Sequence, residues 1–120
     1  MKTVMVIYGD HHGNIWIGTA SGLNLFNKKT KKFVRYMANP EDSLSLSGSI
    51  IFSLYEDSKG NFWVGTDNGL NLMNRQTGKC TQFVYDPFKK NSIASNYVNK
   101  IYEDSYGNIW GPSWKHLGRH

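Results

Sequence analysis

The 120 residues carry 39% apolar and 19% charged side chains, a balance that supports a folded globular core and excludes a disordered chain. No apolar run approaches the ~18 residues of a membrane-spanning helix, and the single cysteine, Cys80, excludes an internal disulfide and a thiolate metal cluster. The net charge of +5 comes largely from Lys28, Lys29, Lys31, Lys32 and Arg35, which cluster at one hairpin tip and not on an inserted helix; this reads as a solvated turn and not a nucleic-acid surface.

In chain order, residues 1–10 hold one lysine and a short apolar run with no small-residue cleavage site, so they read as a strand and not as a signal peptide. Asp10-His11-His12-Gly13-Asn14 is turn chemistry, because Asp accepts backbone N–H bonds while Gly and Asn tolerate positive φ. Ile15 to Thr19 is a β-branched and aromatic strand, and Ala20-Ser21-Gly22 turns the chain into a third strand from Leu23. The basic tip follows, then a fourth strand and a long polar link, Met37 to Gly48.

The same order then recurs. Strands are expected at Ser49 to Tyr55, Phe62 to Thr66, Leu70 to Met73 and Cys80 to Tyr85, with turns at Asp57 to Asn61, Asp67 to Gly69 and Arg75 to Gly78. Asp10, Asp57 and Asp104 are 47 residues apart, as are Gly13, Gly60, Gly107 and Trp16, Trp63, Trp110. A fixed period of this size is the mark of a repeat architecture. The reading is all-β: four-stranded antiparallel β-propeller blades, with repeats at 1–47 and 48–94, a partial repeat at 95–110 and an irregular tail at 111–120. Aligning Phe33 with Phe83 predicts three extra residues in the later strand-three to strand-four turn. Pro112, which lacks a ladder N–H, is expected to end the last strand near Trp110.

Tyr55-Glu56-Asp57-x-x-Gly60-Asn61-x-Trp63-Val64-Gly65-Thr66-x-x-Gly69-Leu70 resembles the two-component regulator propeller repeat. The resemblance spans residues 2–110. It implies the sensory ectodomain of a hybrid histidine kinase/response regulator of the Bacteroides type, on the periplasmic side, responding to oligosaccharides. The kinase, phosphoacceptor and receiver parts of such proteins have no counterpart in these residues, so no enzymatic activity and no cofactor are expected. A structural or protein-interaction propeller without a small ligand is the alternative. The Trp-Asp dipeptide of WD40 repeats is absent, and the Asp-to-Gly spacing of three differs from that of sialidase Asp-boxes.

Candidate residues divide by their place in the repeat. Asp10, Asp57 and Asp104 occupy equivalent positions in successive blades and do not face one another, so they are turn formers and not the paired carboxylates of a glycosidase. His11 and His12 fill a variable pair in the turn and lack further ligands at fixed spacing, with His116 and His120 in the tail. Trp16, Trp63 and Trp110 are expected to pack between blades, with Gly18 and Gly65 allowing close approach, and Cys80 is a strand side chain. In an up-and-down blade the second turn and the link to the next blade emerge on one face. That face is rich in amides, and sugar recognition favours Asn and Asp beside an aromatic ring. Asn39, Asp42, Asp67, Asn68, Asp86, Asn91, Asn96 and Tyr97 are therefore the candidate ligand-binding residues. Two and a fraction repeats leave blade faces bare, so self-association to complete a propeller is also expected.

Overall fold

The computed structural model describes residues 4–89, 92–93 and 95–111, without the side chain of Val4. Two four-stranded antiparallel sheets make up most of it. Blade one runs β1 (Val4–Gly9), β2 (Ile15–Thr19), β3 (Gly22–Asn27) and β4 (Lys32–Tyr36). Blade two runs β5 (Ile51–Glu56), β6 (Phe62–Thr66), β7 (Gly69–Met73) and β8 (Cys80–Phe83). A two-stranded sheet of β9 (Tyr102–Glu103) and β10 (Ile109–Trp110) begins the third repeat.

The register is identical in the two blades. Tyr8 faces Trp16 as Tyr55 faces Trp63, and Leu25 faces Val34 as Leu72 faces Thr81. Phe26 pairs with Phe33 and Met73 with Cys80, so Phe33 corresponds to Cys80 and Tyr36 to Phe83. The expected three-residue insertion is thus absent. The reason is a shared cap: Asn27 Oδ1 accepts from Lys29 and Thr30 N–H, and Asn74 Oδ1 accepts from Gln76 and Thr77 N–H. Lys31 takes φ 60° where its counterpart Gly78 takes φ 78°.

Among the described residues the third repeat pairs Ile109↔Glu103 and Trp110↔Tyr102, and β10 ends at Trp110. The expectation for Pro112 lies outside the described residues. The sequence expectations for Asn91, for His116 and His120 and for the tail beyond residue 111 lie outside the described residues.

Each blade buries one face against the next. Trp16 and Leu23 of blade one pack with Ile51, Phe62, Val64, Met73 and Cys80 of blade two, and Leu46 of the link closes the cluster. One repeat later, Trp63 and Leu70 pack with Ile93, Val98, Ile101 and Ile109. Trp16 and Trp63 therefore lie between blades, as their spacing implied. A methyl group at Gly18 would come within 2.6 Å of Ile51 Cγ2, and one at Gly65 within 2.3 Å of the Val98 carbonyl oxygen. Small residues at this position let the blades close.

Candidate functional site

The turn before each tryptophan strand is built round its aspartate. Asp57 Oδ1 accepts from Lys59 and Asn61 N–H, while Oδ2 accepts from the Asn61 amide and from Trp63 Nε1 at 2.9 Å. Asp104 repeats all four bonds, with Trp110 Nε1 at 2.8 Å. Asp10 holds His12, Asn14 and Trp16 in the same way. These carboxylates are turn formers, and each also satisfies the polar end of an indole, which for Trp16 and Trp63 belongs to a ring buried between blades. The constant Asp-x5-Trp spacing was the available sequence signal for that bond. The Trp110 indole bond comes first among the causes that hold the Asp104 carboxyl well below the usual range, and the backbone and amide donors of Asn108 and Tyr106 add to it.

A polar network crosses the first blade junction beside this turn. Glu56 accepts from Tyr8 Oη at 3.2 Å and from Arg75 Nη1 at 2.6 Å, and it pairs with His11 Nδ1. Arg75 also reaches Asp10 Oδ2 at 3.4 Å and the Gly60 carbonyl at 2.8 Å, with its guanidinium 5.0 Å from the Phe62 ring centroid. Burial alone would raise Glu56, but the hydrogen bonds from Arg75 and His11 outweigh it and hold the carboxyl below its ordinary value. At the next junction Glu103 plays the same part, accepting from Ser58 N–H and Oγ. Cys80 is buried, and burial pushes its thiol up to about 12, which removes it as a nucleophile.

An open cleft of ≈ 790 Å³ lies between blades one and two near this network, lined among others by Asn14, Asn74, Arg75, Gln76 and Lys79. It sits at the Asp-turn ends of the strands, away from the face the sequence favoured. Nothing in the local sequence marks it, because it depends on how two blades splay.

The favoured face does bring together turns and links. Gly22 N–H bonds Ser49 O, Asp67 N–H bonds Ile50 O, Gly69 N–H bonds Asn96 O and Val98 N–H bonds Thr66 O. The middle of the first link runs elsewhere, along the outer strand of blade two: Cys80 N–H donates to Leu44 O and Gln82 Nε2 to Ser45 O.

The seven candidates among the described residues have distinct surroundings. Asn39 and Asp86 are repeat counterparts that cap link turns, through Glu41 N–H and Phe88 N–H, and Asp42 caps Leu44 N–H. Asp67 Oδ1 accepts from Ile50 N–H, and Asn68 Nδ2 donates to Ser47 O. Asn96 Oδ1 accepts from Tyr85 N–H at 2.6 Å. Tyr97 is 63% exposed, with its ring centroid 5.7 Å from that of Phe52. The structure thus gathers Asp67, Asn68, Asn96 and Tyr97 near one blade junction and leaves Asn39, Asp42 and Asp86 within the links. Phe52 is the residue of this surface that the sequence reading missed.

The comparisons with known proteins agree with this geometry. The model of the two-component regulator propeller family matches residues 2–21, 45–68 and 92–110, together more than half of the chain. Among solved structures, the extracellular domain of the hybrid two-component system BT3049 from B. thetaiotaomicron superposes with a TM-score of 0.71 at 33% identity, covering 92% of this chain and 14% of that one. The extracellular domain of BT4673 from the same organism gives a TM-score of 0.75 at 24% identity over 92% of this chain and 15% of its own, a likeness of fold. No curated protein matches the chain. The repeat period, the blade register and the family match lead to one assignment: the chain belongs to the two-component regulator propeller family.

Proposed function

We propose that these repeats serve in an extracytoplasmic, periplasmic sensory propeller of a hybrid two-component regulator, where they bind carbohydrate-derived ligands or relay their presence to a kinase. The observation that carries this reading is the family match joined to the 33% identity with an extracellular domain of a hybrid two-component system. The chain spans 14% of that relative, so a sensing surface formed here is one part of a larger one.

A second reading, a structural or protein-interaction propeller segment, is favoured by one feature of the site. Asn39, Asp42, Asp67, Asn68, Asp86 and Asn96 each spend a side-chain hydrogen bond on the links and turns themselves. Titration calorimetry of the purified chain against a panel of plant and host oligosaccharides separates the two readings. Saturable heat with at least one saccharide supports sensing. Silence across the panel from a cooperatively melting sample removes it in favour of the structural role.

A further inference from the structure

In β5, Ile51 pairs with Thr66 and Ser53 with Gly65, which leaves Phe52 as an extra residue in a β-bulge. The bulge changes which way the strand points. Ile51 and Leu54 pack toward blade one, whereas the Ser53 hydroxyl donates to Val98 O and Tyr55 packs toward the third repeat. In a regular strand Ile51 and Ser53 would share a face. With that parity shifted, Phe52 belongs to neither apolar cluster. It meets instead the ring of Tyr97, at 5.7 Å and 36°, across the junction between blade two and the third repeat.

β1 has a bulge at the same place, but its extra residue is Met5, and the counterpart of Tyr97 there is Ile50. In the third repeat the counterpart of Phe52 is Asn99, which is exposed. Features shared by the repeats build the fold; an aromatic pair held open at one junction is a departure from them. Isolated exposed apolar residues are ordinary on a protein surface. This pair is different, because a backbone irregularity aims one ring at another while leaving Tyr97 63% exposed.

Resting on the sensing reading above, we propose that Phe52 and Tyr97 form a stacking platform for one pyranose ring at this junction. A pyranose has an apolar C–H face and a hydroxyl rim. The aromatic faces suit the first, since Tyr and Phe offer large contact area with little side-chain freedom to lose. Amides suit the second: Asn96 precedes Tyr97 and accepts from Tyr85 N–H, and the exposed Asn68 and Asn99 are chain neighbours of Gly69 and Val98, whose N–H groups bond Asn96 O and Thr66 O across the junction.

The test uses the whole chain with three probes: a glucose, a galactose and an N-acetylglucosamine disaccharide. Affinity is measured by calorimetry, and ring-current shifts of the sugar C–H protons by NMR. The platform predicts upfield C–H shifts, about tenfold or greater weakening in Tyr97→Ala and Phe52→Ala, and retained binding in Tyr97→Phe. Phe88→Ala, which alters a residue 95% exposed on the second link, leaves binding unchanged. A saccharide that binds wild type and Tyr97→Ala equally places the site elsewhere and overturns the platform while the sensing reading stands. No binding by wild type sinks both. A fall in molecular mass of Tyr97→Ala without any saccharide would identify the pair as a contact between copies, which also overturns it.

Discussion

The aspartate at the head of each repeat does more than turn the chain. An indole N–H sealed between two blades without an acceptor would cost about 1–3 kcal/mol, and the carboxylate six residues earlier removes that cost while fixing the turn. At the first junction the carboxylates are also linked to cations through Arg75, whose side chain is only 14% exposed. The lowered Asp104 and Glu56 carboxyls set a pH dependence. A depressed folded-state pKa means that, as pH falls, the unfolded chain takes up the proton first. The stabilisation is therefore complete above the unfolded carboxylate range, near pH 4, and is lost as pH drops through the folded values. We expect Tm to hold from pH 7 to about 5 and to fall steeply below about 4. Glu56→Gln should lower Tm at neutral pH and flatten part of that acid slope. Thermal melts of both proteins across this range check it; parallel slopes would show that Glu56 contributes nothing to the acid transition.

Between blades, apolar burial outweighs the polar network. Trp16, Leu23, Ile51, Phe62 and Val64 are each at most 1% exposed, and fully burying such side chains contributes about 1.5–3 kcal/mol apiece. A partly exposed ion pair contributes ~1 kcal/mol or less. The glycines decide how closely these faces meet. A Cβ at Gly65 would lie 2.1 Å from Ser53 Oγ and 2.3 Å from a backbone oxygen, whereas the atoms nearest to one at Gly18 belong to the side chains of Ile51 and Val6. Backbone yields less readily than a methyl group. Gly65→Ala should therefore cost more than Gly18→Ala, at or above the ~1–3 kcal/mol usual for overpacking. Urea unfolding of the two variants decides the order, and equal midpoints would mean that the blades slide apart freely. The sequence made these elements legible because period and alternation are local properties. Trp16 and Gly18 could be assigned to the junction from spacing alone. The true alignment of Phe33 with Cys80 was hidden because the fourth strand is the least patterned, and a shared phenylalanine was a misleading guide. The Phe52 bulge was hidden for another reason: an extra residue in one strand exists only relative to its partner. Link residues such as Asn39 and Asp86 looked available because their amides are polar, yet each is used by a turn whose repeat (Asn39-Pro40, Asp86-Pro87) was visible at 47-residue spacing.

Blade one turns toward solvent the counterparts of what blade two buries. Ile7 is 64% and Phe33 63% exposed, while Ile15, Ile17 and Phe26 are half-buried. Their counterparts Phe62, Val64, Met73 and Cys80 are at most 4% exposed, and Leu54 packs against the same cluster. Repeat equivalence therefore says what fits this face: a further repeat, presenting a tryptophan strand as blade one presents Trp16. The charges agree. Arg75 of blade two reaches Asp10 of the blade that covers it, and Lys28 holds the counterpart position on blade one, ready for the aspartate of a covering repeat. In a solution of this chain the repeat available is that of a second copy, and closed propellers use about 4–8 blades. We expect association that grows with concentration, with masses above 13.7 kDa by light scattering after size exclusion. A head-to-tail contact that does not close would run on to larger species. Ile17→Asp places a charge in the middle of the face and should return the chain to a monomer with its circular dichroism unchanged, whereas Phe88→Asp should not. A wild-type monomer at every concentration would sink the expectation, and it would mean that Ile7, Ile17 and Phe33 are tolerated in water because the two internal junctions already bury enough.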